Sequence, residues 1–342
     1  MYNGDMSDVP VLITVPYPER LLERLQAVSP RLKMHVHSTE DPGQIPAHLL
    51  PGLQVLYTTR ALPDPEAVPN LRWVQLHYAG ADHVADHPLV RSKVMVTTLS
   101  GAAASQMAEF ILMCILALGH RLPKMVQDRP SKRWAEERFK RFRPSELRGA
   151  TVGFVGYGSV AREAARLCKA FDAGVLATKR DLKHLEDTGF VPAGLGDSRA
   201  EVVDRLYPPQ AVRSMVSLCD FVVVTVPLTP QTRGMIDADV LKKMKETAYL
   251  IDVSRGGVVD HGALVEALQD NRLAGAALDV YPVEPLPESS PLWEMPNVIL
   301  SPHVAGGSGV YYDRATDLFA ENLQRYLAGE TLLNCYDPER GY

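Results

Sequence analysis

The sequence predicts an α/β protein built from two doubly wound parallel-sheet domains with a cleft between them. Three observations support this prediction. Apolar, β-branched runs of strand length alternate with segments of helical length along most of the chain, a pattern typical of parallel sheets covered by helices. The 342 residues suffice for two domains with separate cores. A glycine-rich turn between an apolar strand and an Ala-rich helical segment lies near the start of the second unit.

The first predicted domain begins with a buried strand, a turn and an amphipathic helix in residues 9–28. Further short strands are predicted at 53–59, 71–76 and 94–99. Near the end of the chain, residues 313–330 have a helical pattern that could pack back on this domain. We therefore predict a substrate-binding domain formed by residues 1–103 and 307–342.

The second predicted domain covers residues 104–306 and opens with a long apolar helix over 105–122. The charged stretch 127–149 is interpreted as a solvated connector. Buried parallel strands are predicted in ATVGFVGYG, AGVLATK, DFVVVTVPL, AYLIDVS, GAALDV and NVILSPH. The segment Thr188 to Gln210, rich in Gly, Pro and Asp, is predicted to be a loop extension.

Composition excludes several classes of function. A net charge of −5 offers no basic excess for a phosphate backbone, so nucleic acid is not an expected partner. The N-terminus lacks the features of a signal peptide, and the longest strongly apolar run, Phe110 to Leu118, is too short to span a bilayer. The cysteines have no paired spacing and are expected to be reduced; they are Cys114, Cys168, Cys219 and Cys335. These features favour a cytoplasmic protein without a membrane partner.

The glycine-rich turn GFVGYGSVAREAARL places Gly156, Gly158 and Ala161 in a G-x-G-x-x-A spacing. Alone this spacing is a weak signal, but an apolar strand precedes it and an Ala-rich helical pattern follows. Gly156 would permit the tight turn, Gly158 would let the backbone approach a pyrophosphate, and Ala161 would let the helix pack closely on the sheet. The turn predicts a dinucleotide-binding, Rossmann-type domain.

The end of the next strand bears on the choice of cofactor. In such domains this strand normally ends in an acidic residue that binds the adenosine ribose, whereas here Thr178, Lys179 and Arg180 stand there. These side chains could bind a ribose phosphate, so NADP is favoured over NAD. The alternative is that Lys179 and Arg180 are solvated and that Asp181 reaches the ribose instead.

Three motifs follow successive predicted strands: VSRGGVVD, LDVYPVEPLP and LSPHVAGGS. Because strand ends converge on the ligand crevice of a doubly wound sheet, Arg255, Glu284 and His303 are expected to lie together. Arg255 could bind a carboxylate and polarise a carbonyl oxygen. His303 could protonate that oxygen as hydride reaches the carbon, and Glu284 could fix the imidazole tautomer and favour its acid form. We predict reduction of a small 2-keto acid.

These residues resemble those of the D-isomer-specific 2-hydroxyacid dehydrogenase family. The resemblance implies two domains, with flavodoxin-like and Rossmann-like folds. The resemblance extends over most of the chain and includes ELRGATVGFVGYGSVARE, DFVVVTVPLTPQTRGMI, SPLWEMPNVILSPHVAGG and QMAEFILMCILAL. Lys179 and Arg180 match the NADP-using members better, notably glyoxylate and hydroxypyruvate reductases. Such an enzyme would form a D-2-hydroxy acid, and members are usually homodimers.

The resemblance also implies ligand contacts. HYAGAD resembles the loop that grips the substrate carboxylate, so Tyr78, Ala79 and Gly80 would contact substrate, although Tyr78 stands where members often have Gly or Ser. The implied cofactor contacts are Gly156, Tyr157, Gly158, Ser159, Val160, Thr178, Lys179, Arg180, Val226, Pro227, Thr232, Val253, Ser254, Asp279, His303 and Gly306.

Several alternatives stay open at this point. A phosphite-type dehydrogenase would retain the same trio, as would a nucleotide-sensing corepressor or scaffold on the same fold. Formate oxidation is disfavoured, because the pattern there has Gln where this chain has Glu284. The histidines at 77, 83 and 87 suggest a metal cluster only superficially, and no metal is expected, since hydride transfer needs none.

Overall fold

The computed structural model describes residues 7–342, which form two compact units. The prediction that the N-terminus lacks a signal peptide concerns residues that lie partly outside this range. Unit 1 contains the chain up to Ala103, residues 189–192 and the chain from Ser308 onward. Unit 2 contains Ala104–Thr188 and Ala193–Gly307. The boundaries predicted from the sequence were after residues 103 and 306.

Unit 1 is built on a parallel five-stranded sheet of order β2-β1-β3-β4-β5, which is a flavodoxin-like order. Its strands are β1 Val9–Ile13, β2 Leu32–Val36, β3 Val55–Thr58, β4 Trp73–Leu76 and β5 Met95–Thr97. β3 and β4 are buried at every position, as expected for parallel strands covered on both faces. The doubly wound class predicted from the sequence is confirmed for this unit.

Two helices of unit 1 pack together, α1 Glu19–Gln26 and the C-terminal helix, here α9, Tyr311–Ala328. Arg20 of α1 donates two hydrogen bonds to Asp313 of α9, at 2.7 and 2.8 Å. Phe319 of α9 is fully buried, and its ring centroid lies 5.3 Å from that of Trp73 on β4. The final helix therefore completes the core of unit 1, as its sequence pattern predicted.

Unit 2 is built on a parallel seven-stranded sheet of order β12-β11-β10-β9-β6-β7-β8. Its strands are β6 Thr151–Val155, β7 Gly174–Thr178, β8 Arg205–Tyr207, β9 Phe221–Val224, β10 Tyr249–Asp252, β11 Gly275–Leu278 and β12 Val298–Leu300. The order reverses between β6 and β9, and this switch point is where doubly wound sheets bind dinucleotides.

Helices cover both faces of this sheet. They are α2 Ala104–Gly119, α3 Leu122–Asp128, α4 Arg138–Arg141, α5 Ser159–Ala170, α6 Val212–Val216, α7 Ala238–Leu241 and α8 His261–Gln269. Short 3₁₀ turns occur in both units. In unit 1 they are Pro42–Gln44, Ala47–Leu49 and Pro65–Ala67, and in unit 2 they are Arg129–Ser131, Pro209–Ala211 and Pro291–Glu294. α2 and α5 pack against each other over one face.

Two features of the segment Thr188–Gln210 differ from the loop predicted there. β8 pairs with β7, Leu176 facing Arg205 in register, so the sheet has an edge strand that the prediction missed. Only Tyr207 of its three residues is buried, so β8 has no apolar run by which the sequence could predict it. Residues 189–192 belong to unit 1, where the Phe190 N–H donates to Asn334 Oδ1 at 3.0 Å.

Candidate active site

The three predicted motifs follow three adjacent strands of unit 2. β10 pairs with β11 and β11 with β12, all in parallel. Their carboxyl ends therefore lie at one edge of the sheet, followed by Arg255, Asp279 and His303. Of the predicted trio, Glu284 and His303 contact each other directly, and Arg255 follows β10 at the same edge of the sheet.

His303 and Glu284 form a hydrogen-bonded pair at this edge. His303 Nδ1 lies 2.8 Å from Glu284 Oε2, and Glu284 Oε1 accepts the Tyr281 backbone N–H at 3.0 Å. The two side chains are 42% and 37% exposed, so a ligand can reach them. Because the carboxylate binds a proton on Nδ1, Nε2 is left as the nitrogen that can give a proton to a ligand.

Asp279 holds the loop that carries His303. Its Oδ1 accepts the Ser301 hydroxyl at 2.6 Å and the Val304 N–H at 2.9 Å, while Oδ2 accepts the Ala305 N–H at 3.0 Å. His303 itself has φ of 54°, in the left-handed region. The buried carboxylate stabilises this conformation from both sides of the histidine, so Asp279 acts on His303 by positioning it.

Tyr281 is a component of the site that sequence reasoning missed. Its hydroxyl lies 2.9 Å from both the Leu278 and the Ser301 carbonyl oxygens, and burial raises its pKa to about 12. A Cβ at Gly256 would lie 1.9 Å from the Tyr281 carbonyl oxygen, so only glycine fits there. The tyrosine ties β11 to β12 beside Glu284. The only sequence signal was a tyrosine three residues before that glutamate.

Arg255 lies at the end of β10 and is partly buried. Its Nη1 donates to the Ser254 carbonyl at 2.8 Å. Below it, the Ser254 hydroxyl and N–H both donate to Asp252 Oδ1, at 2.5 and 3.0 Å. Burial raises the pKa of Asp252 to about 7, with Asp279 adding to the effect and the Ser254 bonds opposing it. The guanidinium can bind a carboxylate in bidentate fashion.

The glycine turn between β6 and α5 has the conformation that its spacing predicted. Gly156 has φ of 96°, and a Cβ there would lie 2.7 Å from Val226 Cγ1. Its N–H donates to the Thr178 hydroxyl at 2.9 Å. Thr178 is buried, so the structure places this residue beneath the turn, where it holds Gly156.

Gly158 is the N-cap of α5 and provides no side-chain capping bond. A Cβ at Gly158 would meet no heavy atom within 4 Å, so there is open space above the first turn of the helix. Uncapped N–H groups beside open space suit a pyrophosphate, and Ser159 and Val160 lie on this turn. Tyr157 is buried and donates its hydroxyl to Asp197 at 2.6 Å, so its side chain is held inside the protein.

The basic pair Lys179 and Arg180 directly follows β7, which ends at Thr178. Lys179 is partly buried and Arg180 is exposed. The Asp181 carboxylate accepts the Lys183 N–H at 2.9 Å and the His184 N–H at 3.1 Å, and lies 2.8 Å from His184 Nδ1. The His184 bond, with these backbone bonds, lowers the pKa of Asp181 to about 2. Since its own loop occupies this carboxylate, the geometry does not favour the alternative in which Asp181 binds the ribose.

The other predicted cofactor contacts lie in unit 2, with several side chains already engaged. Thr232 donates its hydroxyl to the Pro227 carbonyl at 2.6 Å and so closes the turn after Val226. Val253 and Ser254 are each 4% exposed. The Gly306 carbonyl accepts the Gln106 side-chain amide at 2.7 Å, a contact that the sequence did not suggest.

In unit 1 the predicted substrate loop follows β4. Tyr78 and Ala79 are exposed and Gly80 partly so, whereas His77 is buried. The Tyr57 hydroxyl lies 2.7 Å from His77 Nδ1, and Tyr311 donates to the His77 carbonyl at 2.7 Å. Burial lowers the pKa of His77 to about 4, so this ring is neutral at physiological pH. The loop is thus anchored at its first residue and exposed at the next two.

Within residues 7–342, no group of three or more His, Cys, Asp or Glu side chains could hold a metal ion. None of the helices in this range has the length and apolar content that a membrane span requires.

Comparisons with known proteins agree on one family. A model described as D-isomer specific 2-hydroxyacid dehydrogenase, NAD binding domain, matches residues 112–305. A glyoxylate reductase of Thermofilum pendens is 34% identical over 266 residues, which are 78% of this chain and 74% of the relative. A glyoxylate reductase of Thermococcus kodakarensis is 32% identical over 278 residues, 79% and 78% of the two chains.

Solved structures with the same architecture bear related names. One is a D-isomer specific 2-hydroxyacid dehydrogenase from Xanthobacter autotrophicus in complex with NADPH and MES, with a TM-score of 0.79, 30% identity and coverage of 98% of this chain and 100% of that one. Another is an NADPH-dependent glyoxylate/hydroxypyruvate reductase from Sinorhizobium meliloti in complex with NADP and sulfate, with a TM-score of 0.78, 26% identity and coverage of 98% and 100%.

Proposed function

This chain belongs to the D-isomer specific 2-hydroxyacid dehydrogenase family, and we propose that it reduces keto acids of the glyoxylate and hydroxypyruvate type to D-2-hydroxy acids, with a proton from His303. It is an oxidoreductase that uses NADP or NAD to reduce small 2-keto acids. The observation that carries the proposal is the His303–Glu284 pair at the edge of a sheet whose first strand leads into the glycine turn.

The chemistry assigned to the pair is general acid catalysis. As a carbonyl carbon receives hydride, negative charge develops on its oxygen, and a proton from His303 Nε2 removes that charge. Glu284 binds the ring at Nδ1, at 2.8 Å, and so keeps the imidazole oriented. Arg255 is assigned to the substrate carboxylate and the developing oxyanion, a role that suits its fixed set of donors.

From unit 1, the exposed loop residues Tyr78, Ala79 and Gly80 are assigned to the substrate carboxylate. Support comes from the buried anchor at His77, which fixes the start of the loop while the next residues stay exposed. Backbone N–H groups in a fixed loop can bind an anion without rearranging. Tyr78, bulkier than the Gly or Ser common in the family, would limit the space beside the substrate.

NADPH is the proposed cofactor, and it would supply the hydride when bound. The residues present fit it, since α5 has no side-chain cap, Gly158 faces open space, and Lys179 and Arg180 follow β7. Asp181, which would disfavour a ribose phosphate, is engaged by His184 and the Lys183 N–H. We assign the ribose phosphate to Lys179 and Arg180.

We also propose a homodimer in the cytoplasm. Large apolar side chains are exposed on α3 and in the connector that follows it, a surface that a second copy would cover. They are Leu122, Met125, Val126, Trp134 and Phe139. Cys114, Cys168 and Cys219 are buried free thiols, which supports a reducing compartment.

A panel of keto acids, each assayed with NADPH and with NADH, tests the function. We expect glyoxylate and hydroxypyruvate to be reduced, with NADPH preferred. Glycolate from glyoxylate is achiral, so configuration is checked on the glycerate formed from hydroxypyruvate, which should be the D form. Phosphite and formate, assayed with NADP and NAD, serve as controls for related chemistries. Tight cofactor binding without turnover of any keto acid would overturn the enzymatic proposal in favour of a nucleotide-sensing protein.

A further inference from the structure

The loop between β7 and β8 contains a turn that is closed by one aspartate. We refer to residues 193–204 of this loop, which lie in unit 2, as the insertion turn. The buried Asp197 accepts the Glu201 N–H on Oδ1 at 2.7 Å and the Val202 N–H on Oδ2 at 3.1 Å. The Ala200 N–H donates to the Asp197 carbonyl at 3.2 Å. The Asp197 carboxylate is therefore held by the backbone of its own turn.

Two buried side chains of α5 attach the insertion turn to the helix that follows the glycine turn. Arg162 donates from Nη1 to the Asp197 carbonyl oxygen. Glu163 accepts the Gly196 N–H at 2.7 Å. Buried charged groups need hydrogen-bond partners of this kind, so these contacts are costly to break. The Asp197 carboxylate thus has a fixed position relative to α5.

From this position Asp197 binds the side chain of the glycine turn. The Tyr157 hydroxyl donates to Asp197 Oδ2 at 2.6 Å, a length typical of strong hydrogen bonds to a carboxylate. Burial raises the pKa of Tyr157, and the Asp197 bond raises it further, so the hydroxyl keeps its proton and remains the donor. The Arg162 Cζ lies 4.9 Å from the centroid of the Tyr157 ring and packs against the same side chain. The ring is therefore fixed at its hydroxyl and on its face.

Tyr157 also carries part of the anion site proposed at the glycine turn. Among residues 7–342, the backbone N–H groups of Tyr157, Gly158 and Ser159 have no hydrogen-bond partner. The Gly156 N–H, in contrast, is bound to the Thr178 hydroxyl at 2.9 Å. Glycine permits many backbone conformations, and Tyr157 provides the side chain between Gly156 and Gly158. Its anchor is thus well placed to restrict the backbone on which these donors lie.

We infer that Asp197 is a positioning residue for the dinucleotide: through the Tyr157 hydroxyl it fixes the backbone N–H groups that bind the pyrophosphate. The inference rests on the proposed pyrophosphate site at the glycine turn. Donors that are already fixed bind an anion without a further loss of conformational freedom, so the anchor contributes to affinity. Because NADPH, NADH and ADP all carry a pyrophosphate, this contribution is the same for the three ligands and independent of the 2′-phosphate.

Titration of the full-length protein with NADPH, NADH and ADP tests the inference. Tyr157→Phe removes only the donor hydroxyl, Asp197→Asn changes the acceptor, and the double variant changes both. We expect Tyr157→Phe to weaken all three ligands by the same factor, about three- to tenfold, on the scale of one hydrogen bond to a charged group. Asp197→Asn should weaken them at least as much, since an amide has one acceptor oxygen for three donors. The double variant should bind no more weakly than Asp197→Asn, because both changes break one contact.

Kinetics separate positioning from a purely structural role. Titrations and assays are performed well below the thermal midpoint of each variant, where the protein is folded. The effect should then appear in KM for the dinucleotide, while kcat and KM for the keto acid stay close to their wild-type values. Tyr249→Phe, which removes the hydroxyl of another buried tyrosine of unit 2, is the matched control and should bind all three ligands like the wild type.

Three outcomes would overturn the inference: affinities within about twofold of the wild type in Tyr157→Phe, a loss confined to NADPH, or single-variant losses that add in the double variant. Tyr157→Phe keeps the test decisive should Asp197→Asn fail to fold, since it removes a single oxygen atom. If Gly158→Ala binds ADP as tightly as the wild type, the pyrophosphate site is misplaced. A wild type that binds no dinucleotide contradicts the cofactor assignment, and either result overturns the inference with its premise.

Discussion

The carboxylate of Glu284 binds two groups at once. Its Oε2 lies 2.8 Å from His303 Nδ1, and its Oε1 accepts the Tyr281 backbone N–H at 3.0 Å. The glutamate is thus held by the loop after β11 while it orients a histidine after β12. The position of the His303 imidazole therefore depends on contacts between two loops. Substitutions outside Arg255, Glu284 and His303 can change that position.

Replacing His303 by Ala is expected to lower kcat by roughly 10²- to 10⁴-fold, the usual contribution of a general acid. Dinucleotide affinity should change little, because the glycine turn and the end of β7 are on other strands. Steady-state kinetics and a separate cofactor titration provide the two readouts. A matched Glu284→Gln variant should lose less activity, since an amide oxygen can still accept a hydrogen bond. Comparable loss of turnover and cofactor affinity in His303→Ala would argue against a proton donor.

The basic pair is tested by Lys179→Gln combined with Arg180→Gln. We expect NADPH to bind at least roughly 100-fold more weakly, with NADH nearly unchanged, since two charged hydrogen bonds of about 1.5–3 kcal/mol each would be lost. Lys183→Gln, an exposed lysine in the same loop, is the control and should leave both affinities unaltered. If the double variant binds both cofactors with equally reduced affinity, the phosphate assignment is incorrect.

Two glycines are expected to respond oppositely to alanine. A Cβ at Gly256 would lie 1.9 Å from the Tyr281 carbonyl oxygen, so Gly256→Ala should lower the thermal midpoint strongly. A Cβ at Gly158 meets nothing within 4 Å, so Gly158→Ala should melt like the wild type yet bind dinucleotide more weakly. Thermal denaturation and cofactor titration separate the two effects. Unaltered dinucleotide affinity in Gly158→Ala would contradict a pyrophosphate site at this turn.

Asp252 predicts a pH dependence of stability. Burial raises its pKa to about 7, above the unfolded value of about 3.9. Between these values the folded state binds the proton more readily than the unfolded state, so the contribution of Asp252 to stability falls as pH rises from about 4 to about 7 and is constant above that. Asp252→Asn removes this dependence. The free energy of unfolding of Asp252→Asn, taken relative to that of the wild type, should therefore be higher at pH 8 than at pH 5, by at most a few kcal/mol.

Urea denaturation of both proteins at the two pH values measures this difference. Because other titrating groups are common to both proteins, their contributions cancel in the comparison. An identical difference at pH 5 and pH 8 would show that Asp252 has no raised pKa in the folded protein.

The proposed dimer is tested by Trp134→Glu combined with Phe139→Glu. These side chains are 84% and 79% exposed, and charges there would oppose burial against a second copy. Light scattering after gel filtration should show a dimer for the wild type and a monomer for the variant. Leu218→Glu changes a leucine that is 49% exposed elsewhere in unit 2 and should stay dimeric. A monomeric wild type would rule out the assembly.

Much of the architecture could be predicted because its signals are local. Strands such as Phe221–Val224 are buried throughout, and their apolar runs are visible without any partner. β8 was not predicted because it is a three-residue edge strand. It is stabilised by pairing with β7, and its own residues are not apolar enough to indicate a buried strand. Phe190 likewise gave no local sign that it would pack with unit 1.

The sequence by itself determined the two parallel sheets, the glycine turn and the strand ends at which Arg255, Glu284 and His303 lie, since these follow from periodicity and spacing along the chain. Only the tertiary structure decided what holds them. Asp279 binds the His303 loop, Tyr281 links two strand ends, and a buried Arg162 organises a loop beside the cofactor residues. Each of these roles depends on groups far apart in sequence, and on which polar atoms burial forces to find a partner.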